Sequence, residues 1–303
     1  MVVLSMHVAI TGATGLIGTP LVARLRADGH TVTRIVRKQA AQGDRVWDPT
    51  ASSLDPSLLD GIDAVVHLAG AGIGDHRWTP AYKELIRSSR THSTELLSTA
   101  IAQAASGPKV LLSGSAIGIY GDRGDETLDE SSTLGQGFLA DVCRDWEQAT
   151  SAAESAGARV VHLRTGIVLT PAGGALKKLL PLFRLGLGGR FGNGRQWQSW
   201  ISIDDEVGAI ASLLTSQVSG AVNLTAPNPV TNTEFTRVLG RVVQRPALFP
   251  VPAFGPRLIV GRELADNLLF TGQRVLPTAL VNSGFHFQHS SLEEALRHLL
   301  RRS

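Results

Sequence analysis

The stretch that decides the fold is Met6-His7-Val8-Ala9-Ile10-Thr11-Gly12-Ala13-Thr14-Gly15-Leu16-Ile17-Gly18. A short β-rich run feeds three glycines at spacing G-x-x-G-x-x-G. Helix-forming sequence follows from Thr19 to Arg26, and a second strand-like run spans Thr31 to Val36. This order of strand, glycine turn, helix and strand suits a pyrophosphate. Glycine lets the chain turn tightly and brings backbone N–H groups against phosphate oxygens, and the positive end of the new helix favours the charge. The third glycine permits close packing of helix on strand. Gly12, Ala13, Thr14, Gly15, Leu16, Ile17 and Gly18 are therefore the expected phosphate cradle of a dinucleotide.

The second strand ends at Val36 and is followed by Arg37-Lys38. An acidic residue there would suit free ribose hydroxyls, whereas a basic one suits a 2′-phosphate, so Arg37 favours NADP(H). The same two cations can also simply solvate a strand end. Asp63 to Gly70 reads as a buried strand whose Leu68, Ala69 and Gly70 let backbone lie against adenine or ribose. His67 within it reads as a core histidine. Trp78 to Ala105 reads as a long helix, with Arg87 and Arg90 on one face, able to reach the cofactor or to face water.

Lys109 to Ser113 forms the next strand. Ser113 and Ser115 sit at its end, where open α/β sheets bind ligands, with Tyr120 a few residues on. Asp122 to Gln136 is a polar surface loop. Phe138 to Ala156 reads as one helix and Ala158 to Leu163 as a strand ending at Arg164-Thr165-Gly166. The expected fold is α/β, a Rossmann doubly wound parallel sheet over residues 1–166, to whose sheet later segments can return. A smaller mixed α/β C-terminal lobe spans 167–303. Within that lobe, Asn193-Gly194 is a hairpin dipeptide, and a hairpin carrying Arg195, Gln196, Trp197 and Trp200 would cap a substrate pocket. Asp204-Asp205-Glu206 reads as an acidic helix start, not as metal ligands.

Composition narrows the function classes. The chain has 303 residues, 43% hydrophobic and 18% charged, with 29 Lys+Arg against 26 Asp+Glu, enough for a large core and too evenly charged for a nucleic-acid surface. The single cysteine, Cys143, excludes an intramolecular disulfide and a cysteine-based zinc cage. Met1 to Ser5 is a short apolar lead-in without a signal-peptide pattern, with Met6 able to serve as the structural start, and no apolar span reaches membrane length. A cytoplasmic protein acting on a small molecule is expected, with no metal, nucleic-acid or membrane partner.

Taken together, these residues resemble the extended short-chain dehydrogenase/reductase superfamily of NAD(P)-dependent epimerases and dehydratases. More narrowly, they resemble its atypical "epimerase family" branch. The likeness is carried by Thr11 to Gly18, His67 to Gly70, Arg77-Trp78, Val142 to Glu147, Arg164 to Leu169, Phe183 to Gly189, Ser199-Trp200-Ile201, and, in the tail, Gln273 to Pro277 with Gly284-Phe285. It implies NADP(H) on the glycine loop, Arg37 at the 2′-phosphate, Leu68-Ala69 at the adenosine, Arg90 approaching the cofactor, and Ser113 and Arg164 among the cofactor contacts. Active members of the superfamily use Tyr-x-x-x-Lys for proton transfer. Here Phe138 and Val142 stand in those places, and neither can transfer a proton. Ser115 matches the active-site serine and Tyr120 the tyrosine of a strand-end Tyr-Gly pair. Those two are the expected catalytic groups, with a non-catalytic NADPH-binding sensor or scaffold as the rival reading.

Overall fold

A computed structural model describes residues 5–38, 41–247 and 249–301. Most of the apolar lead-in, Met1 to Leu4, lies outside the described residues. Seven parallel strands form the central sheet: β1 His7–Thr11, β2 Thr31–Val36, β3 Arg45–Val46, β4 Ala64–His67, β5 Val110–Ala116, β6 Arg159–Thr165 and β7 Gly220–Leu224. Their order is β7-β6-β5-β4-β1-β2-β3, so the chain reverses direction across the sheet at β1 and β4. A parallel sheet is covered on both faces, which is why its strands read as nearly continuous apolar runs. Val8 and Ile10 of β1 pack into a cluster with Leu21 and Leu25 of α1 (Gly18–Ala27) and Ile210 of helix Ile203–Thr215. Ala9, between them, faces Leu97 and Ala100 of α2 (Pro80–Gln103) on the other side.

The helix expected over 138–156 is two. α3 (Phe138–Gln148) stops, and a short helix, Ser151–Ser155, follows. Thr150 at the break is fully buried, and its hydroxyl donates to the Glu147 carbonyl at 2.7 Å and meets His162 Nε2 at 3.0 Å. A local side-chain bond of this kind competes with the helical ladder.

The late half belongs partly to the Rossmann layer. Helix Ile203–Thr215 covers the sheet and β7 pairs with β6, so residue 166 is no spatial divide. A second core gathers Leu176, Phe183, Trp200, Phe235, Leu239, Leu296 and Leu299. No hairpin forms at Asn193-Gly194. Trp197–Gln198 pairs antiparallel with Val230–Thr231, and Trp200–Ser202 pairs parallel with Ile167–Leu169. Trp200 has no exposed surface and donates Nε1–H to the Asn228 carbonyl at 3.1 Å, so it is a core residue, not a pocket wall.

Side chains clasp this lobe to the rim of the sheet. Arg77 donates to the carbonyls of Leu258 and Ile259, Lys83 pairs with Glu263 at 2.5 Å, and Lys178 donates to the Gly74 carbonyl at 2.9 Å. No helix among the described residues is long and apolar enough to cross a membrane. Removing the Trp200 indole should lower unfolding free energy by about 3–5 kcal/mol, because it empties a dry core site. Urea denaturation of Trp200→Ala measures this, and a loss under about 1 kcal/mol would contradict the core placement.

Candidate functional site

The glycine turn folds as its spacing requires. Gly12 has φ +64°, and a Cβ there would stand 2.7 Å from the carbonyl carbon of Leu68 and 2.9 Å from the Ala69 nitrogen. A Cβ on Gly18 would stand 2.2 Å from the Gly12 oxygen, so helix α1 closes on the turn only because that atom is missing. Gly15 differs. Its nearest obstruction is the Gly12 oxygen at 3.1 Å, and Thr14, Gly15 and Leu16 are exposed. Helix α1 starts after Ile17 with no side-chain cap; Thr19 N–H donates back to the Gly15 carbonyl at 3.1 Å and Leu21 N–H to the Ile17 carbonyl at 3.1 Å, so the turn's own backbone closes the helix start. Ala13 is buried under the turn, and Leu16 lies against Gly173 of the late half.

Val36 closes β2, and its carbonyl accepts from Trp47 N at 3.0 Å, which leaves Arg37 exposed just past the strand end. Across the switch point, Gly70 lies under the Arg90 side chain, with a built Cβ at 3.3 Å from Arg90 Cζ. Arg90 stacks over Trp146 at 5.1 Å and donates to the Ile86 carbonyl at 3.0 Å. It has no carboxylate partner among the described residues, and burial pulls its pKa below the ordinary arginine value. An unneutralised, half-buried guanidinium over Gly70, just past the end of β4, fits a bound anion.

The strand ends of β5 and β6 carry a different arrangement. Ser115 Oγ donates to Glu147 Oε1 of α3 at 2.7 Å. Arg164 donates to both oxygens of Glu147 at 2.8 and 2.9 Å, and from its third nitrogen to Tyr120 Oη at 3.0 Å. Tyr120 in turn donates to Asn223 Oδ1 of β7 at 2.8 Å. Burial works against the Glu147 charge, and the Arg164 guanidinium overcomes it, holding the carboxyl below its usual range. On Arg164 burial likewise opposes the charge and Glu147 outweighs it, so that pKa is raised.

This network bears on two expectations. Tyr120 is completely buried, burial raises its pKa, and its hydroxyl is already shared between Arg164 and Asn223, which leaves it a brace instead of an acid facing substrate. Arg164 is 5% exposed, and its three guanidinium nitrogens are engaged by Glu147 and Tyr120. Ser113 is buried in register with His67 and His162. Ser115, 4% exposed, is the polar group at the end of β5. Glu147 escaped sequence reasoning because a glutamate inside a helix looks like a solvated side chain. Its partners lie 32 and 17 residues away.

Of the late residues, Arg195 and Gln196 line a cavity of about 240 Å³ with Asp122, Asp125 and Phe270. Trp197 borders it, donating Nε1–H to Asp125 at 2.9 Å beneath the Arg274 guanidinium at 4.4 Å. A second cavity of about 370 Å³ is lined by Trp78, Lys83, Arg87, Phe138 and Glu263 among others, so Phe138 forms part of a cavity wall. His67 is the core histidine expected: Thr11 Oγ1 and Ser93 Oγ engage its two nitrogens at 2.6 and 3.1 Å, and burial pushes its pKa down to about 3. Burial pushes the Cys143 thiol up to about 12, which removes it as a nucleophile at neutral pH.

A glycine turn at the switch point of a doubly wound parallel sheet defines a Rossmann-type α/β protein. Residues 8–225 match the NAD dependent epimerase/dehydratase family and residues 251–299 a C-terminal domain of unknown function (DUF1731). The chain belongs to the NAD dependent epimerase/dehydratase family. An "epimerase family protein" of Mycobacterium tuberculosis is 49% identical over 291 residues, covering 95% of this chain and 96% of that protein. The crystal structure of human epimerase family protein SDR39U1 with NADPH superposes with TM-score 0.91 at 34% identity, covering 98% of this chain and all of the other. A Corynebacterium glutamicum protein described as a nucleoside-diphosphate sugar epimerase superposes with TM-score 0.82 at 40% identity, and this chain covers 58% of it.

Glu206 marks the cost of the helix start at Asp204-Asp205-Glu206. It is fully buried, Oε1 accepts from Thr165 at 2.9 Å, Oε2 has no partner, and burial pushes its pKa up to about 8. The folded state therefore holds a proton that the unfolded chain releases near pH 4.5, and stability falls as pH rises from about 4.5 through about 8. Glu206→Gln should remove that decline and raise the unfolding free energy at pH 8.5 more than at pH 5, by about 1–3 kcal/mol, read as a larger rise of the denaturation midpoint at pH 8.5. Equal midpoint shifts at the two pH values would contradict a buried neutral carboxyl.

Proposed function

We propose that this protein binds NADP(H) and acts as an epimerase-like oxidoreductase on a small carbonyl or hydroxyl compound. The carrying observation is the open Gly15 cradle flanked by Arg37 and by Arg90, a half-buried cation without a carboxylate partner. The phosphates would rest on residues 12–18, Arg37 would meet the 2′-phosphate, Leu68 and Ala69 would lie along the adenosine, and Arg90 would supply positive charge from below. The bound cofactor supplies hydride transfer. The human relative crystallised with NADPH supports the same choice of nucleotide.

Ser115 is the group we assign to the substrate. Its hydrogen is held by Glu147, so it presents lone pairs outward and accepts from a substrate hydroxyl. Glu147, kept ionised by Arg164, receives the Ser115 proton as the substrate proton moves onto Oγ. This relay takes over the task that Phe138 and Val142 cannot perform. A second reading, an NADPH-binding sensor without turnover, is favoured by those same two residues. Epimerase-family membership and the Ser115–Glu147 contact weigh for the enzyme.

Fluorescence titration with NADPH and NADH, followed by a panel of carbonyl and hydroxyl compounds, separates the readings. Arg37→Ala should weaken NADPH about tenfold or more and leave NADH unchanged, since it removes one charge-assisted contact. Equal loss for both would overturn the 2′-phosphate assignment. Once a substrate is found, Ser115→Ala and Glu147→Gln should each lower kcat by about 10²-fold or more with NADPH affinity intact. Full turnover in Ser115→Ala would remove the relay. Tight binding without oxidation across the panel would favour the sensor.

A further inference from the structure

Where the C-terminal tail docks on helix Ile203–Thr215, three metal-ligating side chains from distant parts of the chain meet. Asp204 lies in the first turn of that helix, His298 on the final helix Leu292–Arg301, and His289 in the segment before it. Each offers one ligand atom, and the three atoms lie within 4.8 Å of one another. His298 Nε2 and Asp204 Oδ2 are 3.1 Å apart, close to the roughly 3.3 Å edge of a tetrahedron with 2.0–2.1 Å bonds.

A second observation concerns His289, which is 7% exposed. Its Nδ1 faces Ser202 Oγ at 3.2 Å and Asp205 Oδ2 at 3.6 Å, and its backbone N–H donates to the same Asp205 oxygen at 3.1 Å. Asp205 is itself fully buried and also accepts from Gln288 N at 2.7 Å, so the ring is held from behind. Nε2 makes no hydrogen bond to any described residue. The Nε2 side of the ring is thus uncommitted to any described residue, and an electron-pair acceptor would engage its lone pair. Metal-bound histidines characteristically have a carboxylate or hydroxyl on the far nitrogen, which is what Asp205 and Ser202 provide.

The two imidazole rings stand 4.5 Å apart between centroids, tilted by 42°. Asp204 and His298 keep 25% and 33% of their side-chain surface exposed, which leaves room for water as a fourth ligand. Two imidazoles, one carboxylate and one open position suit zinc. We propose that Asp204, His289 and His298 form a zinc site, with His289 ligating through Nε2, that fastens the final helix to helix Ile203–Thr215. The sequence spells no such motif, because its ligands come together only after the tail docks. The proposal is independent of the nucleotide site, with which it shares no residue.

The test uses the full chain stripped with a chelator and titrated with ZnCl₂ by calorimetry, with metal content measured after dialysis. One zinc per chain is expected, with a thermal midpoint that rises with zinc and falls again with chelator. Cobalt(II) in its place should give the intense visible absorption of a four-coordinate ion. His298→Ala and Asp204→Asn should each weaken zinc at least about tenfold while NADPH affinity stays unchanged. No zinc uptake by the wild-type chain, a weak six-coordinate cobalt spectrum, or undiminished binding in both variants would overturn the site. The first two readouts need no variant.

Discussion

The structure depends on one close approach of backbone to backbone. Gly12 and the Leu68–Ala69 peptide sit at the ends of β1 and β4, the two strands between which the sheet reverses its order. Any side chain at Gly12 would overlap that peptide, and any at Gly18 would overlap Gly12 itself. Because neither has one, α1 starts directly over the strand end, with no side chain capping it. The anion site is thus a consequence of packing. Gly15, which meets little, is the glycine left for a ligand to approach.

The second organising contact is the Glu147–Arg164 pair. Two charges at that depth lose much of their hydration, and the loss is tolerated because the pair is bidentate and its remaining bonds go to Ser115 and Tyr120. Removing one partner would strand the other, typically a matter of about 3–5 kcal/mol. The same knot ties α3 to β5, β6 and, through Tyr120 and Asn223, β7. Its chemical effect is directional. In the relay proposed above, the Ser115 hydrogen held on Glu147 leaves Oγ to accept a proton from an alcohol.

What could be read from sequence followed range. Thr31–Val36 was legible with its observed bounds, and the glycine turn with its helix nearly so, because period and turn chemistry are local signals. The His67 assignment was legible for a similar reason: a histidine inside a four-residue buried strand has nowhere else to point. Asn193-Gly194 misled because the dipeptide does make a turn, with Gly194 N donating to the Phe191 carbonyl at 3.0 Å, while the flanking residues find partners some thirty residues away on either side. Tyr120 and Arg164 are joined to Glu147 and Asn223 by side-chain bonds spanning 17 to 103 residues, which nothing near them in sequence signals. Such long-range pairings leave no periodic trace.

The late lobe raises a related question of how firmly it sits. Trp200, Phe183, Leu239 and Leu296 give it a core cluster separate from those that flank the sheet. Yet its contacts with the rim near α2 are polar and mostly exposed, Arg77 on two carbonyls and Lys83 on Glu263 among them. Exposed pairs of this kind contribute little each, about 0–1 kcal/mol, whereas the buried Asp205 carboxylate beneath residues 288–289 anchors the tail at a separate point. Of the two helices there, Phe254–Val260 buries no residue, whereas Arg262–Leu269 sinks Leu264 and Ala265 into the protein. Glu263 of the second helix reaches the cavity walled by Trp78 and Phe138, so the Lys83–Glu263 pair joins the late half to α2 at that cavity's edge.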